Sequence, residues 1–196
     1  MKVTFFERVG SYLIDTIIVS FIFSLICLGF GNYTSNTEKL MKELDDKLLE
    51  EKITPEEYLE EYQDLMYDYQ KENVLESGIS VALTIAYYVM FQYMNKGQTL
   101  GKKLLKLRVV DKDTNKPISI LKGLLRSLLV LSILSGTLSI ILLYIVGKKL
   151  YFPIYSGLLL IEGIFTLTTI MFILYKKDKR GLHDIMTNTV VIKESR

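Results

Sequence analysis

The sequence predicts an all-α integral membrane protein. Its expected architecture is a four-helix transmembrane bundle with both termini on the cytoplasmic side, an extracytoplasmic acidic helical hairpin and a small cytoplasmic β element. Three observations predict it. First, the 196-residue chain is 49% apolar yet 23% charged, with a mean hydropathy of +0.27, a combination that requires charge to be segregated along the chain. Second, four stretches poor in charge occupy 9–30, 74–94, 121–146 and 150–175. Each approaches the ~20 residues that cross about 30 Å of hydrocarbon. Third, the intervening segments differ in sign. Residues 31–76 hold 14 acids against 5 lysines, residues 95–122 hold 8 Lys/Arg against 2 Asp, and the tail 176–196 holds 6 Lys/Arg against 3 acids. Basic loops stay cytoplasmic, so the acidic segment is expected outside, with the 95–120 loop and the 176–196 tail inside.

The first span begins at "FFERVGSYLIDTIIVSF". It is longer than the roughly 7–15-residue apolar region of a signal peptide, contains Asp15 and has no small-x-small site after it, so a retained anchor is expected. The acidic insertion, 31–73, repeats apolar residues at helical spacing on both sides of "TPEE". Thr54 reads as N-cap, Pro55 as first helical residue and Glu57 as the partner in a capping box. Two helices turning at Ile53–Thr54 are predicted, forming a solvated cap or a docking surface. The "NYT" at Asn32 is a glycosylation sequon close to the membrane.

In the basic loop, "TLGKKLLKL" alternates basic and leucine faces, which predicts an interfacial helix with Lys102, Lys103 and Lys106 against anionic lipid head groups. "KLRVVD", a turn and "PISI" read as a short hairpin, and the tail's "TNTVVIK" has the β-branched character to pair with "LRVVD". Two apparent motifs fail. "GQTLGKK" has three residues between its glycines where a phosphate loop needs about four, and "DKDTN" has Lys116 where a calcium loop needs glycine. Cys27 is the only cysteine and His183 the only histidine. No disulfide, metal or other cofactor is expected, and no catalytic triad or zinc-protease motif is present. The chain is read as a non-enzyme with no nucleic-acid partner.

Four ionisable residues belong to the predicted spans: Arg8, Asp15, Arg126 and Glu162. Arg8 and Asp15 lie about 10 Å apart along one helix face, too far to bond, so Arg8 is expected to reach back to the inner head groups. Asp15 and Arg126 fall at similar depth in straight spans, which predicts an Asp15–Arg126 pair, with Glu162 deeper on the same interior line. Charges in such positions are functional sites or structural locks. In the third span, Ser132 with Gly136 and Ser135 with Ser139 keep the small-xxx-small spacing of close helix packing.

"ERVGSYLID", "GQTLGKKLLKLRVVD", "PISILKGLLRS" and "DKRGLHDIMTNTVVI" occur in this order and span most of the chain outside the acidic segment. Together they resemble the RDD-domain membrane proteins, a family named for an arginine and two aspartates. The resemblance assigns those letters to Arg8, Asp15 and Asp184, and adds Gly97, Gly101, Lys102, Arg126, Arg180 and His183 as motif residues. The acidic insertion departs from the family's compact pattern. The resemblance implies a bacterial-type, multi-pass cell-membrane protein suspected of transport and linked to sodium–proton exchange. Glu162 would be the carrier, Asp15 an inner relay, and the small bundle would work as a homo-oligomer. The alternative is a scaffold or accessory subunit docking an unidentified protein partner through the acidic hairpin.

Overall fold

A computed structural model describes residues 3–29 and 36–194; the Asn32 sequon lies outside them. Helix α1 (Phe5–Leu28) starts earlier than hydropathy predicts, because a capping box sets its origin. The Thr4 hydroxyl accepts from the Glu7 N–H at 3.3 Å, and the Glu7 carboxylate accepts from the Thr4 N–H at 2.8 Å. Apolar residues such as Leu13, Ile17 and Phe21 remain exposed on α1, as on a lipid-facing helix, while Ser11 and Asp15 are buried.

The acidic segment forms the expected two helices, α2 (Asn36–Leu49) and α3 (Pro55–Glu72). Thr54 and Glu57 close the capping box read from "TPEE", at 3.2 and 2.9 Å. The hairpin is seated on the bundle. The Tyr67 hydroxyl donates to the Leu143 carbonyl at 2.9 Å, its ring meets Tyr151 edge-on at 5.4 Å, and Asp68 pairs with Lys148 at 2.5 Å. The hairpin and the "GKK" link therefore share one end of the molecule.

The second span runs through α4 (Val74–Ile85), a π-helical turn (Ala86–Phe91) and α5 (Gln92–Met94). The wide turn places Tyr87, Tyr88 and Val89 inside. After it, α6 (Leu100–Leu104) is a single turn capped by Thr99, and β1 (Leu107–Asp111) follows. The chain turns ahead of α6 at Gly97 (φ +95°), which β1 approaches so closely that an added Cβ would lie 2.1 Å from the Val109 carbonyl oxygen. The predicted hairpin after β1 reduces to one bridge, Val110 to Pro117. The predicted pairing with the tail is present. β2 (Thr189–Lys193) runs antiparallel to β1, from Leu107 opposite Lys193 to Asp111 opposite Thr189. Val3, Leu107, Val109, Ile118 and Val191 form a small apolar core beneath this sheet. The described amino- and carboxy-terminal segments meet there, at the end opposite the acidic hairpin.

The third span departs from expectation. Instead of one helix over 121–146, it consists of α7 (Ile120–Leu128) and α8 (Ile133–Ile145), which meet at 75°. Ser132, at φ 52°, occupies the left-handed region at the break. Helix α9 (Lys148–Tyr175) then runs continuously, slightly beyond the expected 150–175. Among the described residues, three helices are long and apolar enough to span a membrane, or four if α7–α8 counts as one broken span. The tail carries β2, as expected, and ahead of it the unpredicted short helix α10 (Leu182–Met186).

Candidate functional site

Asp15 sits fully buried on α1, and its carboxylate is saturated by hydrogen bonds. The Tyr87 hydroxyl and the Gly101 N–H each donate to Oδ1 at 2.7 Å, and the Thr99 hydroxyl donates to Oδ2 at 2.5 Å. The π turn delivers Tyr87, and the single turn of α6 delivers both Thr99 and Gly101. Helix α6 can come this close because residue 101 is glycine: a Cβ there would meet the Ser11 carbonyl oxygen at 2.2 Å. Lys102 Nζ stands 3.9 Å from Asp15 Oδ2. Lys102 therefore turns inward, contrary to the expected head-group contact, while Lys103 and Lys106 are exposed. Burial lowers the Lys102 ammonium to about 8, against the attraction of Asp15.

The expected Asp15–Arg126 pair is not formed. Arg126 Nη2 lies 3.0 Å from Asp184 Oδ1, and Arg8 Nη1 lies 2.7 Å from Asp184 Oδ2. Arg8 thus does not extend to head groups; it reaches the tail, and its Nη2 also donates to the Lys179 carbonyl at 2.8 Å. The depth argument assumed a straight third span. Because α7 is sharply bent from α8, Arg126 lies at the sheet end, where β1–β2 pairing returns the tail. Asp184 is presented by the first turn of α10, where its Oδ2 also accepts from the Gly181 N–H at 3.2 Å. Arg180 braces this turn, donating to the Asp184 and Thr189 carbonyls, each at 2.9 Å.

The electrostatics follow from burial and sign. Burial alone would raise the Asp184 carboxyl, but Arg126, His183 and Arg8 hold it well below the usual carboxylate range. Burial drives His183 down to about 4, with Asp184 opposing the shift, so the imidazole is neutral near pH 7. Its Nε2 lies 3.4 Å from Asp184 Oδ1.

Glu162, on α9, is the third buried carboxylate, 4% exposed. Its Oε1 accepts from the Ser135 N–H at 3.0 Å and its Oε2 from the Ser135 hydroxyl at 2.7 Å. It thereby caps the first turn of α8, where unpaired N–H groups favour a negative charge. No basic group lies within ion-pair distance of Glu162 among the described residues. Nor, among them, do three or more His, Cys, Asp or Glu side chains gather as metal ligands.

Two cavities approach the α7–α8 break. One, of about 270 Å³, lies at the sheet end and is walled by Arg8, Lys102, Arg126, His183, Val130 and Leu131. The other, of about 350 Å³, lies toward the hairpin and is walled by Tyr69, Asn73, Glu76, Ser132 and Ser139; Leu131 lines both. Sequence reading missed Tyr87, Gln92, Thr99 and Thr169 as interior polar groups. The N-cap pattern of "TLGK" was a usable signal for Thr99, whereas Gln92 and Thr169 carry no local signature.

Apolar helices around a buried charge cluster, closed at one end by a returning tail, define a small polytopic membrane protein. The family model described as "RDD family" matches residues 2–188, and the chain belongs to the RDD family. The arginine and two aspartates named from its motifs, Arg8, Asp15 and Asp184, all lie in or beside this cluster. No curated protein and no solved structure matched the chain.

Proposed function

We propose that this protein moves a small cation across the cell membrane in exchange for protons, with Glu162 as the titrating carrier and a homo-oligomer as the working unit. The observation that carries the reading is Glu162 itself, a buried carboxylate with no basic partner among the described residues, bonded to the first turn of α8 just past the break from α7. Broken helices near the bilayer midplane are a recurrent way to build ion sites, because half-helix ends leave backbone groups free for a ligand. Glu162 already bonds one such end through Ser135. A buried carboxylate without a basic partner can exchange a proton for a cation, provided it is reached from each side.

Asp15, by contrast, is held by three donors, which suits a lock better than a relay. The acidic hairpin, seated by Tyr67 and Asp68 on the rim of the second cavity, suits a cation-attracting cap better than a free docking arm. Three or four spans are few for alternating access, hence the oligomer.

The test is reconstitution in liposomes enclosing a pH-sensitive dye. Added Na⁺, K⁺ or Li⁺ should dissipate an imposed proton gradient faster than in protein-free vesicles. Dissipation no faster than in empty vesicles for all three ions contradicts the proposal.

A further inference from the structure

We propose that the sheet-end cavity is a binding site for an anionic amphiphile, taking its phosphoryl head group against Arg8, Lys102 and Arg126 and the first part of its hydrocarbon chain along α1 and α9. The inference stands on charge, unpaired polar atoms and shape.

Three basic side chains that line this cavity are largely withdrawn from solvent: Arg8, Lys102 and Arg126, with 11%, 16% and 9% of their side chains exposed. Only two buried carboxylates, Asp15 and Asp184, face them. A surplus of buried positive charge is unfavourable unless something negative is held there, and guanidinium groups match phosphate oxygens well.

The unpaired polar atoms are equally uneven. Six buried side-chain polar atoms lack a hydrogen-bond partner among the described residues, and four belong to walls of this one cavity: Arg8 Nε, Gln92 Nε2, Thr169 Oγ1 and His183 Nδ1. Gln92 and Thr169 are each only 3% exposed. Buried polar groups are normally paired, so four unpaired ones around a single space mark it as built for a polar occupant.

Much of the remaining wall is apolar, including Phe5, Val9, Val130, Ile170 and Ile173. The volume of about 270 Å³ sits just below the roughly 300–1,000 Å³ of small-molecule sites. It accommodates a head group and a few methylenes, so the remaining chain must leave. Helices α1 and α9 both contribute walls, and the main packing of each is elsewhere, α1 on α4 and α6 and α9 on α3, α8 and α10. In the proposed binding mode the remaining chain leaves between these two helices. A free phosphate would leave the apolar wall unused, and a neutral amphiphile would leave the basic surplus unmatched.

The test uses the full chain in dodecyl maltoside, with thermal stability followed during titration by three probes: decyl phosphate, decyl glucoside and inorganic phosphate. Decyl phosphate should raise the melting temperature saturably, while the other two leave it unchanged at equal concentration. Gln92→Leu should raise the melting temperature of the ligand-free protein, because an unpaired amide leaves the interior, yet weaken decyl phosphate binding about tenfold. Lys102→Met should weaken it by a similar factor. An equal response to inorganic phosphate would reassign the site to a free anion, and an equal response to decyl glucoside would remove the charge from the argument. Unchanged decyl phosphate affinity in both variants would overturn the site itself.

Discussion

Asp184→Asn strikes the centre of the charge cluster. The wild-type carboxylate is fully buried and sits between Arg126 at 3.0 Å and Arg8 at 2.7 Å, with the Gly181 N–H on the same oxygen as Arg8. Asparagine keeps the size and one acceptor but strands two buried guanidinium groups, and removing one partner of a buried ion pair costs about 3–5 kcal/mol. For a chain of this length each kcal/mol moves Tm by about 2–4 °C, so a fall on the order of 10 °C is expected. The assay is a double-mutant cycle read by thermal stability of the detergent-solubilised protein. Arg126→Met and Asp184→Asn should couple by at least ~1 kcal/mol, the double variant being less impaired than the sum of the singles. Arg126→Met with Asp15→Asn should couple only weakly, since Asp15 is held by Tyr87, Thr99 and Gly101 instead. Strong coupling to Asp15 and additivity with Asp184 would refute the assignment of partners.

Two further outcomes are expected. Gly101→Ala should displace α6 from α1, because the new Cβ would fall 2.2 Å from the Ser11 carbonyl oxygen and 2.9 Å from Asp15 Cγ. It should cost at least ~2 kcal/mol, whereas Gly157→Ala, whose Cβ meets nothing within 4 Å, should be neutral or slightly stabilising in the same melts. His183 titrates at about 4 when folded, below its ordinary 6.5. Its contribution is therefore fully present above pH 6.5 and lost as pH falls from 6.5 to 4, by up to ~3 kcal/mol. His183→Gln should flatten that part of the pH–stability curve; an unchanged slope would show that the imidazole is not held neutral.

Much of this architecture was legible because the signals are local or compositional. "TPEE" specifies a helix start through Thr54 and Glu57 irrespective of the surroundings, and the observed cap uses both. The β-branched runs at 107–111 and 189–193 paired as their character suggested. What escaped depends on direction and on distant chain returns. The stretch from Ser127 to Leu134 contains neither glycine nor proline, so its hydropathy gives no sign of a 75° bend. The bend then invalidated the depth estimate that matched Arg126 to Asp15. The β1–β2 pairing was itself an indication that the tail, with Asp184, returns to the mouth of the bundle. Following it to Arg8 and Arg126 required the position of α10, which is set by the bonds of Arg180 and not by any periodicity.

The claim that Glu162, and not Asp15, carries the exchanged proton is tested most directly by comparing two variants in the same dye-loaded liposomes. Glu162→Gln keeps an acceptor for the Ser135 N–H but cannot release a proton, so cation-driven proton flux should fall at least about tenfold, to near that of empty vesicles. Asp15→Asn, in the fraction that folds and reconstitutes, should retain most of the flux. Full flux in Glu162→Gln together with loss in correctly folded Asp15→Asn would contradict the account.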